Sequence, residues 1–385
     1  MKVIFAESHN LDRPDPVGSH QYIRLFRDAG HDCLWLGPAV SPFHLFKADK
    51  LNRYRFRVWR EGLTGREGIN WLVPFSLLFY YNQPLLRSLY AGRNQYRFCL
   101  PPLRKNLESA GFAPVDLLWC AGPSAFSLID LVPHRLSCYR LADRLDKFSG
   151  IPRNVGKLQK ELIEKVDFVL ATSRDLWEWA ATVRSNNLFY LPNGVDGQFF
   201  EQARNKPDDF PETKRPVAVY AGTLDTRFDL ETVAGAVEAL PGMHFLLIGP
   251  VTYRALEAGL ESLKRHENFT ALGAKPFAAL PAYLQRCSAG MIPFHLNELT
   301  GAVNPIKYYE YLACGLPVIA PPMREMAETE GPVNIYRNRE EFVRMLKKVA
   351  AAKDEERQQL KLYAGDNTWL VRFKEIEKII DRLMK

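Results

Sequence analysis

The stretch GAVNPIKYYEYLACGLPVIA, residues 301–320, gathers residue types suited to an anion and to the sugar attached to it. Asn304 is a capping type and Pro305 fits a first helical turn, so a helix is expected to begin near Asn304. A helix start directs free backbone N–H groups and a partial positive charge outward, which favours a diphosphate, and Lys307 adds a full charge beside it. Glu310 falls one turn later on the same face, where a carboxylate can accept hydrogen bonds from ribose hydroxyls. The same spacing also describes an internal Lys–Glu pair on a solvated helix. Gly315 should end the helix and LPVIA should open a buried strand, which places the helix at a strand edge where α/β proteins bind ligands.

A second source of chemistry is the run SCYRLADRLD, residues 137–146. It reads as a strand followed by Asp143 and Asp146, and a carboxylate at a strand's carboxyl end can act as a general base. Pairing of Asp143 with Arg140 or Arg144 is the structural alternative. The first polar loop, ESHNLDRPDPVGSH, ends with Gly18 and His20 at a helix start. Gly18 allows close approach of a ligand and His20 can hydrogen-bond one, although a His at a helix start also serves as a cap. No D-x-D pair lies at a strand end, so metal-bridged diphosphate chemistry has no obvious ligands and no metal is expected. No G-x-G-x-x-G follows the first strand, and no phosphate-loop signature occurs.

These residues need a scaffold, and 385 residues suffice for two domains with a cleft between them. VIFAES, the helical SHQYIRLFRDAG and DCLWLG give the β-α-β pattern of a parallel sheet, continued by VDLLWCAG, RLSCYRLAD and VDFVLATS. The proline-bearing polar stretch near 199–215 is the linker candidate between a first domain, 1–198, and a second, 216–364. The second carries strands at PVAVYAG, HFLLIGP, FTALG and AGMIPF, with helices over 229–240 and 252–265. A last helix over 365–385 aligns Trp369, Phe373, Ile376, Ile380 and Leu383 on one face.

The net charge of +7 is uneven: residues 47–105 hold twelve Lys or Arg against three Asp or Glu, a local +9 that leaves −2 for the rest. Aromatic residues are interleaved there, a mixture suited to an anionic surface, either membrane headgroups or nucleic acid. The uncharged window 68–86 contains Pro74, Asn82, Gln83 and Pro84 and reads as an interfacial or core segment rather than a spanning helix. Six scattered cysteines and an N-terminus that enters a strand directly suggest a cytoplasmic protein with reduced thiols.

The pattern N-P-x-K-x-x-E-Y-L-A-x-G-x-P-V-I resembles the donor motif of GT-B glycosyltransferases of the group 1, glycogen-synthase-like superfamily. AGTLDTRFD (221–229), IGP (248–250), Leu272-Gly273 and LPNGVD (191–196) resemble segments of the same enzymes in the same order. The resemblance implies two Rossmann-like domains facing each other across a cleft, with a C-terminal helix returning to the first domain. It also implies a nucleotide-sugar site at Gly222, Thr223, Arg227, Lys275, Asn304, Ile306, Lys307 and Glu310, with Gly18 and His20 on the acceptor side. Many retaining members carry a second Glu eight residues before the ribose-binding one. Here that position is Ala302, which favours inversion. The run 139–145 resembles the catalytic-base segment of the inverting xanthan glucuronosyltransferases, which makes Asp143 the expected base with Asp146 in reserve.

The resemblance implies metal-independent transfer from a nucleotide diphosphate donor, a UDP-sugar, to a glycan or polyprenyl-diphosphate-linked glycan in surface polysaccharide assembly. The basic segment 47–105 would then contact the inner face of the membrane. Other readings are a noncatalytic partner subunit of the same fold, a nucleic-acid-binding protein using the basic island, and a sugar-nucleotide epimerase. Nucleic-acid binding leaves 301–320 without a role, so no nucleic acid is expected as a partner.

Overall fold

In the computed structural model the chain divides into two compact units, Met1–Pro192 together with Phe373–Lys385, and Asn193–Arg372. The structure describes residues 1–46, 50–84, 86–148, 150–201 and 205–385.

The first unit is an eight-stranded sheet. Its elements run β1 (Lys2–Ala6), helix α1 (Gly18–Asp28), β2 (Asp32–Leu36), helix α2 (Lys50–Glu61), β3 (Thr64–Arg66), β4 (Ile69–Leu72), β5 (Val115–Cys120), β6 (His134–Leu141), helix α3 (Val155–Lys165), β7 (Phe168–Ala171) and β8 (Leu188–Tyr190). The strand order is β3-β4-β2-β1-β5-β6-β7-β8, parallel except for the antiparallel β3–β4 pair. Strands such as KVIFA and FVLA are apolar almost throughout because both faces of a parallel sheet are covered. The order reverses between β1 and β5, which directs ligands to the carboxyl ends of those strands.

The second unit is a six-stranded parallel sheet of β9 (Val217–Ala221), β10 (His244–Ile248), β11 (Phe269–Gly273), β12 (Ala289–Met291), β13 (Val318–Ala320) and β14 (Asn334–Ile335), in the order β11-β10-β9-β12-β13-β14. Helix α4 (Leu230–Ala239) follows β9, and helix α5 (Ile306–Ala313) follows β12. Here the reversal falls between β9 and β12. Helix α6 (Trp369–Met384) closes the chain. Its Phe373, Ile376 and Ile380 are buried, and Phe373 meets Phe26 of α1 edge-on at 4.8 Å within the first unit.

The division falls after Pro192 rather than at the expected linker. Phe199 and Phe210 are buried in the second unit's core, so the described part of 199–215 is packed chain. Residues 202–204 of that stretch, and 47–49 and 85 of the basic island, lie outside the described residues. The window 68–84 supplies β4 and the chain after it, with Trp71 and Val73 buried. No helix among the described residues is long and apolar enough to cross a membrane.

Candidate nucleotide-sugar site

The second unit concentrates the expected donor residues at the carboxyl ends of β9 and β12. β9 runs straight into Gly222, whose φ of +155° is a conformation that glycine alone adopts readily. A methyl built on Gly222 would lie 3.0 Å from Lys307 Cε and Nζ, so the lysine of α5 is lodged against this turn. The turn after β10 presses on the same spot, since a methyl on Gly249 would fall 1.9 Å from the Gly222 carbonyl oxygen. The Tyr220 hydroxyl donates to the Thr223 carbonyl at 2.8 Å and fixes the loop's course.

Lys307 Nζ sits 5.2 Å from the ring centre of Tyr220 and 5.1 Å from that of Phe294. Burial, with the Arg227 charge adding to it, pushes its ammonium down to about 8. It has no carboxylate within ion-pairing distance among the described residues, which decides against an internal Lys307–Glu310 pair. Glu310 is buried, and that burial pushes its carboxyl up to about 7 despite Lys307; Asp196 acts in the same sense as burial. A cation and a carboxylate held on one helix without neutralising each other suit a ligand carrying both an anion and hydroxyl donors.

Arg227 lies on the same loop, 5.5 Å from the Phe294 ring centre, but its guanidinium is already held by Asp225 at 2.5–3.1 Å. Burial opposes ionisation of Asp225, and Arg227 outweighs it, keeping that carboxyl below its ordinary range. Lys275, beyond β11, is ion-paired with Asp209, which also accepts from the Tyr283 hydroxyl at 2.6 Å. Its backbone, rather than its side chain, is left for ligand contact.

Asn304 does not cap α5. The residue preceding the helix is Pro305, and the Asn304 side chain turns inward to accept from Asn193 N at 3.2 Å and to donate to the Tyr309 hydroxyl at 3.2 Å and Glu325 Oε2 at 3.0 Å. Asn193 Nδ2 returns a bond to the Asn304 carbonyl at 2.7 Å. The amide is thus spent on bracing the segment before the helix. Ile306 and Lys307 are the first two helical residues, whose N–H groups have no carbonyl one turn back in the helix. Sequence reasoning missed Tyr220, Phe294 and Asp225; only Asp225, two residues before Arg227, offered a local signal.

In the first unit His20 is structural rather than ligand-facing. Its Nδ1 accepts from Val17 N at 3.2 Å, its Nε2 donates to the Asn10 carbonyl at 3.0 Å, and its ring packs 4.3 Å from Trp35. Burial pushes it down to about 4, so it is neutral. Gly18 opens α1 and is buried. Asp146 is held in a two-pronged pair by Arg144 at 2.9 Å, which keeps its carboxyl below the usual range. Asp143 is half-buried just past β6, and its carbonyl accepts from Gln159 Nε2 at 3.1 Å.

Comparison with known proteins bears on the family and the fold. Residues 215–352 match the family model described as Glycosyl transferases group 1. TuaH of Bacillus subtilis strain 168, a glycosyltransferase provisionally assigned to teichuronic acid biosynthesis, is 23% identical over 198 residues, 50% of each chain. The match therefore spans about half the length of that curated relative. Among solved structures, sucrose-phosphate synthase from Thermosynechococcus elongatus superimposes with a TM-score of 0.71 at 13% identity, covering 99% of this chain and 98% of that one. Anabaena Alr3699/HepE in complex with UDP-glucose gives 0.65 at 16% identity, covering 99% and 100%. Residues 215–352 of the second unit thus resemble the group 1 glycosyl transferases, and the chain as a whole, built of two parallel-sheet α/β units, has the GT-B fold.

Proposed function

We propose that the protein transfers a sugar from a nucleotide diphosphate donor, a UDP-sugar, to a glycan or lipid-linked glycan acceptor in surface polysaccharide assembly. The observation that carries this is Lys307: an ammonium lodged against the Gly222 turn, at a helix start, without a carboxylate partner among the described residues. Such a site receives a diphosphate, and Glu310 one turn later receives ribose hydroxyls. Lys307 neutralises the departing diphosphate, with a smaller share from Arg227, whose guanidinium Asp225 already holds. Anabaena HepE, of the same fold, is recorded with UDP and with UDP-glucose, which favours a uridine donor. Ala302, buried where many retaining relatives carry Glu, favours inversion.

The acceptor side of the proposal rests on the first unit's surface. Leu51, Leu77, Tyr81, Tyr90, Phe98 and Leu100 are all exposed there, and Leu77 N bonds the Phe98 carbonyl at 3.0 Å while Tyr90 and Phe98 rings lie 6.4 Å apart. Arg53 and Arg60 of α2 are exposed beside them in sequence and make no ion pair among the described residues. An apolar surface edged with cations suits peripheral contact with the anionic inner face of a membrane, where a polyprenyl-diphosphate-linked acceptor resides. The test is incubation with UDP-, GDP- and ADP-sugars and a polyprenyl-diphosphate-linked saccharide, read by mass spectrometry. Gain of one sugar residue with release of the nucleotide is expected. Binding of donor without any product would favour a noncatalytic subunit.

A further inference from the structure

The segment between β6 and α3 and the loop before the short helix Leu89–Asn94 flank an open cavity of about 900 Å³, lined by residues of the first unit alone. The first segment supplies Asp146, Phe148, Ile151 and Arg153, and the loop supplies Asn82 and Arg87. Asn154, next to Arg153, braces the two walls. Its Nδ2 donates to the Arg87 carbonyl at 2.8 Å and its Oδ1 accepts from the Tyr80 hydroxyl at 2.7 Å, so this side chain does not cap α3.

The charges in this cavity do not cancel. Arg87 and Arg153 are exposed, and neither guanidinium makes an ion pair or a hydrogen bond among the described residues. The carboxylate on the wall, Asp146, is already spent: Arg144 holds it through two bonds of 2.9 Å. It also packs on the first turn of α3, where a methyl built on Gly156 would lie 3.1 Å from its Cβ. Two planar guanidiniums without counter-ions match the paired oxygens of a diphosphate. The cavity beside Leu11 and Ile69 also collects arginines, but there Asp12 holds Arg66 at 2.9 Å and Glu67 lies 3.7 Å from Arg24.

Apolar groups accompany the cations. Phe148 and Ile151 are half-buried on the cavity wall, Tyr81 precedes Asn82 and is 42% exposed, and Tyr90, three residues after Arg87, is 61% exposed. A water-soluble anion would need the arginines alone, whereas a phosphate carried on a lipid also meets the exposed rings of the same loop.

We propose that this cavity binds the diphosphate of a polyprenyl-diphosphate-linked saccharide through Arg87 and Arg153, with the exposed rings of residues 81–90 against the isoprenoid and the bilayer. The choice of lipid rests on the sugar transfer proposed above. The site itself is complete within the first unit.

The test is flotation of the full chain with phosphatidylcholine vesicles that carry either a polyprenyl diphosphate or phosphatidylglycerol at equal surface charge. The native chain should bind the polyprenyl diphosphate vesicles about tenfold more tightly. The double variant Arg87→Ala, Arg153→Ala should bind both within about twofold, with its unfolding midpoint unchanged as the control for folding. The pair Arg87→Lys, Arg153→Lys should fall between the two, since it keeps the charge and loses the fork. Equal binding of the native chain to both vesicles, or an undiminished preference in the alanine variant, overturns the site. Inorganic diphosphate that binds the native chain as tightly as the vesicles do overturns the lipid as its source. A preference that the alanine variant abolishes, beside no UDP release from UDP-sugars with a polyprenyl-diphosphate-linked saccharide, keeps the site and fails the transfer reading. UDP release whose acceptor KM is unmoved in that variant keeps the transfer and fails the site.

Discussion

Gly222→Ala tests the donor site without removing any group that would touch the ligand. The added methyl would sit 3.0 Å from Lys307 Cε and Nζ and 3.2 Å from the Tyr220 hydroxyl, on a backbone whose φ is +155°. The strained backbone should lower stability by about 1–3 kcal/mol. Displacing the ammonium from a phosphate removes a charge-assisted hydrogen bond of about 1.5–3 kcal/mol, equivalent to a 10- to 150-fold weaker UDP affinity. Because the loss runs through Lys307, the two substitutions should not add. In a Lys307→Ala background, Gly222→Ala should change UDP affinity by less than about twofold, measured by calorimetry below the unfolding midpoint of each variant. Additive losses would refute the argument that the turn acts by placing the lysine.

Further predictions concern charge and support. UDP affinity should peak between about pH 7 and 8: it rises as Glu310 ionises through about 7 and falls as Lys307 loses its proton through about 8. A flat calorimetric profile from pH 6 to 9 would contradict both roles, and Glu310→Gln should remove only the acidic limb. Arg227→Ala should weaken UDP binding less than Lys307→Ala, by about 1 kcal/mol in affinity, since Asp225 already neutralises that guanidinium. Asn304→Ala should destabilise the protein by about 2–3 kcal/mol in denaturant unfolding, because it removes the acceptor of Asn193 N and the donor to Glu325.

The cluster proposed as the donor site was legible where it depends on local spacing. Lys307 and Glu310 lie three residues apart on one helix, and Gly222 directly ends an apolar run, so motif and geometry coincide. Asn304 was misread because its true partners, Asn193 and Glu325, lie 111 and 21 residues away and only the folded chain brings them to it. His20 failed for a similar reason: its place at a helix start was visible, but the Asn10 carbonyl and Trp35 ring that engage it were not. β3, β8 and β14 are only two or three residues long and carry too little alternation to read as strands.

The most direct test of the central claim is calorimetric titration of the native protein and of Lys307→Ala with UDP, GDP and ADP. The account predicts selective binding of UDP by the native chain and a loss of about 10- to 150-fold in the variant. Equal affinity of the two proteins for UDP, or no binding of any nucleotide by the native chain, would contradict it.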